Sequence, residues 1–169
     1  MRILVVSDTH GKHDNLKKAI AAVKPDRLIH LGDGEGYEER IQQLCDCPME
    51  IVRGNCDRFS DLPDYIVTNI GRHKAFLTHG HRYGVGYSNE DLIFAAEENG
   101  ADVAMYGHTH VPEIIENEPI QVINPGSISR PRQTGHKPSY IVIDVDKDGD
   151  LHYKLCYLES DEPEARFWW

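Results

Sequence analysis

Short apolar runs broken by polar clusters set out the elements of this chain. Ile3–Val6 is apolar and rich in β-branched residues, the pattern of a strand covered on both faces. Ser7–Lys12 follows as a loop. Asp14 is placed to cap a helix that carries Leu16, Ala19, Ile20 and Val23 at helical spacing and stops at Pro25. Leu28–Leu31 is a second strand, broken by Gly32-Asp33-Gly34. Tyr37–Leu44 reads as a second helix and Met49–Val52 as a third strand. The order β-α-β-α-β predicts a parallel sheet with right-handed crossovers.

The pattern then changes. Tyr65–Ile70 and Ala75–Thr78 read as a hairpin around Gly71-Arg72-His73, and His79–Ser88 as a glycine-rich loop. Ser88 or Asn89 starts a helix through Glu97, with Gly100 suited to its C-terminal end. Val103–Tyr106 is a further buried strand. Glu113–Glu116, Gln121–Ile123, Tyr140–Val145 and Leu151–Leu158 are strand-like, the last two joined by Lys147-Asp148-Gly149-Asp150. No helix is expected after Asn99, so the second half reads as a mostly antiparallel sheet packed on the first. There is no repeat and no linker, so residues 1–169 are expected to form one domain. Its tail, residues 160–169, is acidic and then aromatic; Phe167-Trp168-Trp169 is expected to dock on the domain or to cover a subunit contact, possibilities that leave a homodimer or higher homo-oligomer open.

Composition narrows the function. With 40% hydrophobic and 27% charged residues the chain is globular, and no apolar run approaches the length of a membrane span. Met1–Asp8 has too short an apolar stretch for a signal segment, so it reads as the first strand of a mature cytoplasmic protein. Cys45-Asp46-Cys47 lacks two further soft ligands for a zinc site, and reduced thiols at a helix end are expected there. The formal net charge of −10 speaks against nucleic acid as a partner. It does not exclude an anionic substrate, because bound divalent cations can make a local site positive.

The candidate chemistry sits where apolar runs end. Gly107-His108-Thr109-His110 places two histidines at i and i+2, on one side of an extended segment and about 6–7 Å apart, a spacing suited to two neighbouring ions. Asp8 and His10 follow the first strand, Asp33 the second, Asn55 the third, and His79 the second hairpin strand. In open α/β sheets, sites lie beyond the carboxyl ends of strands, so these residues are expected on one rim. Seven donors, Asp8, His10, Asp33, Asn55, His79, His108 and His110, with one shared carboxylate give eight contacts, enough for two ions. Mixed oxygen and imidazole ligands suit Mn foremost, with Ni, Zn, Fe or Co, and Mg, also open.

Taken together, Asp8-Thr9-His10, Gly32-Asp33, Gly54-Asn55-Cys56-Asp57, His79-Gly80 and Gly107-His108-Thr109-His110 resemble the five signature blocks of the calcineurin-like metallophosphoesterases. The length, Asn124-Pro125-Gly126-Ser127 and the lack of an inserted cap resemble the small bacterial and archaeal phosphodiesterase branch. The resemblance implies an α/β sandwich of two packed mixed sheets flanked by helices in four layers. It implies that Asp8, His10, Asp33 and His110 hold one ion and that Asp33, Asn55, His79 and His108 hold another, with Asp33 bridging. It also implies hydrolysis of a small phosphoester by a hydroxide held between the two ions, which lie ~3.5–4 Å apart. Catalytic roles then fall to Asp33, Asn55, Asp57 and His81. Many relatives carry a histidine after the Asn of the third block; this chain has Cys56, a poor acid, which favours diesters whose alcohol leaves unaided. His81 is the candidate substitute acid, or else an ordinary loop histidine. Asp57 is expected to orient a histidine or the Cys56 turn. Ser127 and Arg130, in a proline-flanked loop, are candidate phosphate contacts. His30, inside a strand, is expected to be a satisfied core residue. The competing reading is a binding protein like the retromer scaffold subunit, which has the same fold.

Overall fold

The structure is a computed structural model that describes residues 1–116 and 118–159. The acidic and aromatic tail, and with it the docking expected of Phe167-Trp168-Trp169, lies outside the described residues. Of the fourteen elements among the described residues, ten are strands, and they form two five-stranded sheets. The first runs β10 (Leu151–Tyr157), β9 (Ser139–Val145), β1 (Arg2–Val6), β2 (Arg27–His30) and β3 (Met49–Ile51). Its β1, β2 and β3 are parallel, as the β-α-β-α-β order requires, and β9 and β10 add antiparallel to β1. The second runs β4 (Tyr65–Ile70), β5 (His73–Thr78), β6 (Val103–Met105), β8 (Gln121–Pro125) and β7 (Pro112–Ile115).

Alternation along each strand builds the layers. Ile3 and Val5 of β1 point between the sheets, where they meet Ile29, Leu77, Met105, Ile123, Ile141 and Ile143. Leu4 and Val6 point the other way, onto Leu16, Ala19 and Val23 of α1 (Asp14–Val23) and Ile41 of α2 (Glu38–Gln42). On the far sheet, Phe76, Ala104 and Val122 pack against Leu92 and Ala96 of α3 (Glu90–Glu98). Helices therefore cover both outer faces, which explains why β1 and β6 read as unbroken apolar runs. No helix among the described residues is long and apolar enough to cross a membrane.

Several local expectations are corrected. The second half is not mostly antiparallel: β5, β6 and β8 are mutually parallel at the sheet centre, with antiparallel strands only at its edges. The chain passes from β6 along the outside as β7 and returns as β8, so a strand replaces the helix that usually makes a parallel crossover. β9 and β10 leave that sheet and extend the first. Asp14 is the first helical residue, not the cap; its side chain meets Lys17 at 3.4 Å. The second helix is shorter than expected, at Glu38–Gln42. Cys45 and Cys47, expected as free thiols, are joined as a disulfide: the turn after α2 brings their Cα atoms to 5.3 Å, within bridging range.

Ile29, fully buried, lies in the layer between the sheets, on the strand that leads to Asp33. Ile29→Ala is expected to cost about 2–5 kcal/mol, read as a lower urea midpoint at unchanged slope. A loss under about 1 kcal/mol would show that this layer closes over the gap.

Candidate metal centre

The carboxyl ends of the parallel strands of both sheets meet at one rim. β1 leads to Asp8 and His10, β2 to Asp33, β3 to Asn55, β5 to His79, and β6 to His108 and His110. Five of these seven residues have left-handed backbones: Asp8 (φ 57°), His10 (45°), Asp33 (58°), His108 (67°) and His110 (60°). For residues other than glycine this costs on the order of 1 kcal/mol or more each and persists only where the surroundings enforce it. Here they do. Asp8 N donates to Gly32 O at 3.0 Å, His10 N to Asp33 O at 3.0 Å, and His108 N to the Asp8 carboxylate at 3.1 Å. Gly54 and Gly107 complete the fit, since a Cβ at either would overlap the Asp33 carboxylate or the Ser7 hydroxyl.

Three buried imidazoles are aimed by their Nδ1 atoms. His110 donates to the Arg130 carbonyl at 2.6 Å and His79 to the Leu31 carbonyl at 2.6 Å, while His10 meets the Glu35 carboxylate at 2.7 Å. In the tautomer that carries its proton on Nδ1, each ring turns a bare Nε2 lone pair inward. His10 Nε2 and His110 Nε2 then face each other at 3.3 Å. Asp8 Oδ1 lies 3.0 Å from His110 Nε2 and 3.8 Å from His10 Nε2, fully buried and without a hydrogen-bonded proton. His79 Nε2 faces Asn55 Oδ1 at 3.1 Å and Asp33 Oδ2 at 3.5 Å. Electron-pair donors this close repel unless a cation lies between them, so the residues fit a metal. Beside a set of His10 with Glu35 and Cys56, two compact sets among the described residues share Asp8: Asp8 with His10 and His110, and Asp8 with Asp33 and His79. Asp33 Oδ2 stands between them, 3.8 Å from His10 Nε2 and 3.5 Å from His79 Nε2. Burial opposes ionisation of Asp8 and Asp33, yet the neighbouring histidines overcome it and hold both carboxyls below the usual range; His79 is raised in turn by Asp33 and Asp8, against its own burial.

The other candidates divide by position. His108 is half-buried, its ring 5.2 Å from His79, and lies outside both compact sets. His81 stands 5.4 Å from His79 with Nδ1 buried and unpartnered; burial, then His79 and His108, lowers its pKa. Asp57 hydrogen-bonds no histidine among the described residues. Its carboxylate accepts from the amides of Asp33 (2.8 Å), Gly54 (2.7 Å) and Glu35 (2.6 Å), tying the second and third blocks together. Ser127 is fully buried: it donates to the Asp8 carbonyl at 2.9 Å and accepts from the Arg130 amide at 2.8 Å, so its hydroxyl is spent on the scaffold. Arg130 is exposed, and its guanidinium has no ion-pair partner among the described residues. Burial and Asp33 push the Cys56 thiol up to about 11, so it holds its proton. Sequence reasoning missed Glu35, the carboxylate on His10. Its one signal was its place two residues after Asp33.

His30 anchors the first loop. Gly32 N donates to His30 Nδ1 at 3.2 Å, so His30 Nε2–H donates to Thr9 Oγ1 at 3.1 Å. Complete burial pushes its pKa down to about 4. The fold therefore keeps His30 neutral, while the unfolded chain takes up a proton below about pH 6.5. Stability falls as pH drops from about 6.5 towards about 4, by up to roughly 3 kcal/mol from this residue. Urea unfolding of wild type and His30→Asn is expected to diverge with pH over that window; parallel curves would refute the assignment.

Comparison with known proteins agrees with this geometry. A family model described as the calcineurin-like phosphoesterase superfamily domain matches residues 1–148. The chain is similar to the probable metallophosphoesterase YsnB of Bacillus subtilis (35% identity, 88% of this chain and 86% of that one). It is also similar to the phosphodiesterase YfcE of Escherichia coli (31% identity, 86% and 89%). Among solved structures, Vps29 of Entamoeba histolytica complexed with Zn2+ superposes with a TM-score of 0.74 at 21% identity, covering 93% of this chain and 99% of that one, a likeness of fold alone.

Proposed function

The chain belongs to the calcineurin-like phosphoesterase superfamily, and from that premise we propose that it is a phosphodiesterase hydrolysing a small phosphodiester at a pair of divalent cations. The observation that carries the reading is the set of facing donors: Asp8 Oδ1, His10 Nε2 and His110 Nε2 crowd within 3.8 Å, and the buried Asp8 Oδ1 has no hydrogen-bond partner. Asp8, His10, Asp33 and His110 would hold one ion, and Asp33, Asn55, His79 and His108 the other, with manganese the first choice. When bound, such ions supply Lewis acidity that makes water a nucleophile near neutral pH and offsets the charge of the phosphoryl group.

The chain's own residues do the rest. Glu35, the Arg130 carbonyl and the Leu31 carbonyl orient the imidazoles of His10, His110 and His79 and so the direction of their Nε2 lone pairs. Asp57 locks the loops of Asp33 and Asn55 into register. His81, 5.4 Å from His79, would donate a proton to the departing alcohol only as the imidazolium, a form that burial and the neighbouring His79 and His108 disfavour. Cys56 cannot, since its thiol keeps its proton to about pH 11. Arg130, on the rim, is available to the phosphate.

A scaffold of the same fold needs no turnover, and Vps29 complexed with Zn2+ shows that holding metal does not separate the two readings. Turnover does. Bis(4-nitrophenyl) phosphate, tested with Mn, Ni, Zn and Mg in turn, is expected to be hydrolysed by wild type. Asp33→Ala is expected to lose both ions by elemental analysis and at least about 100-fold in rate, the scale of removing an essential electrostatic group. Two retained ions would overturn the bridging role, and no hydrolysis with any metal would favour the scaffold. Cys56→His is expected to speed esters of poor leaving alcohols by up to about 100-fold, flattening the dependence of rate on leaving-group pKa. An unchanged slope counts against acid catalysis as the limiting step.

A further inference from the structure

Beside the metal centre lies a cleft of about 640 Å³, within the range of small-molecule sites. Its walls adjoin residues of the centre. Gly11 follows His10, Tyr37 follows the loop whose Glu35 holds His10, and Ser129 sits on the carbonyls of Asp8 and Thr9 at 2.9 and 2.8 Å. In a protein of net charge −10, the cleft is lined by three cations, Lys12, Lys17 and Arg40. Lys12 and Arg40 have no ion-pair partner among the described residues. The one lining carboxylate, Asp14, is exposed and meets Lys17 at 3.4 Å. The cleft also opens onto the N-terminus of α1, a ten-residue helix whose cap residue, His13, makes no side-chain capping bond. The first-turn amides are therefore free to donate.

The independent sign of a ligand is His13 itself. Its side chain forms part of the cleft wall, 6% exposed and edge-on to the Tyr37 ring at 5.1 Å. Its Nε2 is buried with no hydrogen-bond partner. A buried polar atom left unpaired is costly, and folded proteins keep few of them without a use. Burial, then the charges of Arg40 and Lys17, lower its pKa, and the neutral ring still has an N–H to offer.

We propose that this cleft binds a second phosphate group of the substrate, which is then a small phosphodiester bearing a phosphate monoester on the part nearest α1. The assignment rests on the phosphodiesterase reading above. Lys12 and Arg40 supply charge, arginine with paired donors suited to phosphate. The α1 amides and His13 supply directed hydrogen bonds, and the exposed ring of Tyr37 offers a face to the organic moiety.

Inorganic phosphate titrated into the Mg2+-loaded full chain, followed by backbone amide shifts, tests the site without turnover. Saturable shifts are expected at residues 12–17 and 40. Affinity is expected to fall at least about 10-fold in the Lys12→Gln, Arg40→Gln double variant, both positions being exposed, and to be largely kept in Arg40→Lys. Shifts confined to residues 8–10 and 107–110, or an unchanged affinity in the double variant, would overturn the site. In a second arm, a 4-nitrophenyl phosphodiester of glycerol is compared with the same ester carrying a terminal phosphate. KM is expected to be at least about 10-fold lower for the phosphorylated ester; equal values would overturn the substrate class. Phosphate seated in the cleft with neither ester hydrolysed would support the site and overturn the hydrolytic reading.

Discussion

One carboxylate oxygen, Asp8 Oδ1, sets the terms for the rest of the molecule. It is sealed from water, it receives no proton, and two imidazole nitrogens stand 3.0 and 3.8 Å away with their own lone pairs turned towards it. An arrangement of this kind is unstable as a set of neutral donors and stable around positive charge. In the absence of a metal, a proton on His79 supplies part of that charge, which is why the carboxyls are held down and His79 is held up. The protonated and metal-bound forms are thus alternatives for one and the same requirement, and the scaffold is rigid enough to enforce it in either.

That rigidity comes from the sandwich. Two sheets that each end their parallel strands at the same rim bring donors from residue 8 and residue 110 into contact, although a hundred positions separate them. The short loops that carry the donors cannot reach inward with extended backbones, so five donor residues in three of these loops turn left-handed. Their strain is held by bonds that cross between blocks. Asp57 joins the second block to the third, Ser127 and Ser129 grip the first, and Asn124 donates to the Gly107 carbonyl and Thr109 hydroxyl of the last, both at 3.0 Å. The polar residues behind the donors are as much a part of the centre as the donors themselves.

How much of this the sequence disclosed follows from the range of the forces involved. The parallel β1–β2–β3 core was readable because a run such as Ile3–Val6 has one economical use, burial on both faces. The donor set was readable because each member directly follows such a run. Sheet order in the second half was not, since β7 and β9 reach their places by long loops whose destinations depend on packing between sheets. The burial of Ser127 and the role of Glu35 were invisible for a related reason. A serine or glutamate in a loop has the same local signal whether it meets solvent or a carbonyl from a hundred residues away. Asp14 illustrates the limit at short range: the loop before it arrives at an angle that makes His13 the cap and leaves Asp14 to Lys17.

Charge poses the same problem at a larger scale. A net charge of −10 would repel an anionic ester from a distance, yet at physiological ionic strength screening cuts in within about 8 Å. Carboxylates on the far faces therefore contribute little at the rim, and what the ester meets is the local inventory. There the carboxylates of Asp8 and Asp33 are buried among imidazoles, Asp57 is neutralised by three amides, and Asp64 is paired with Arg53 and Arg82. Lys12, Arg40 and Arg130 stand outward with no such partner among the described residues. The acidity of the whole chain and the affinity of one rim for anions are compatible because the protein pairs its negative charges near the site and leaves positive ones free.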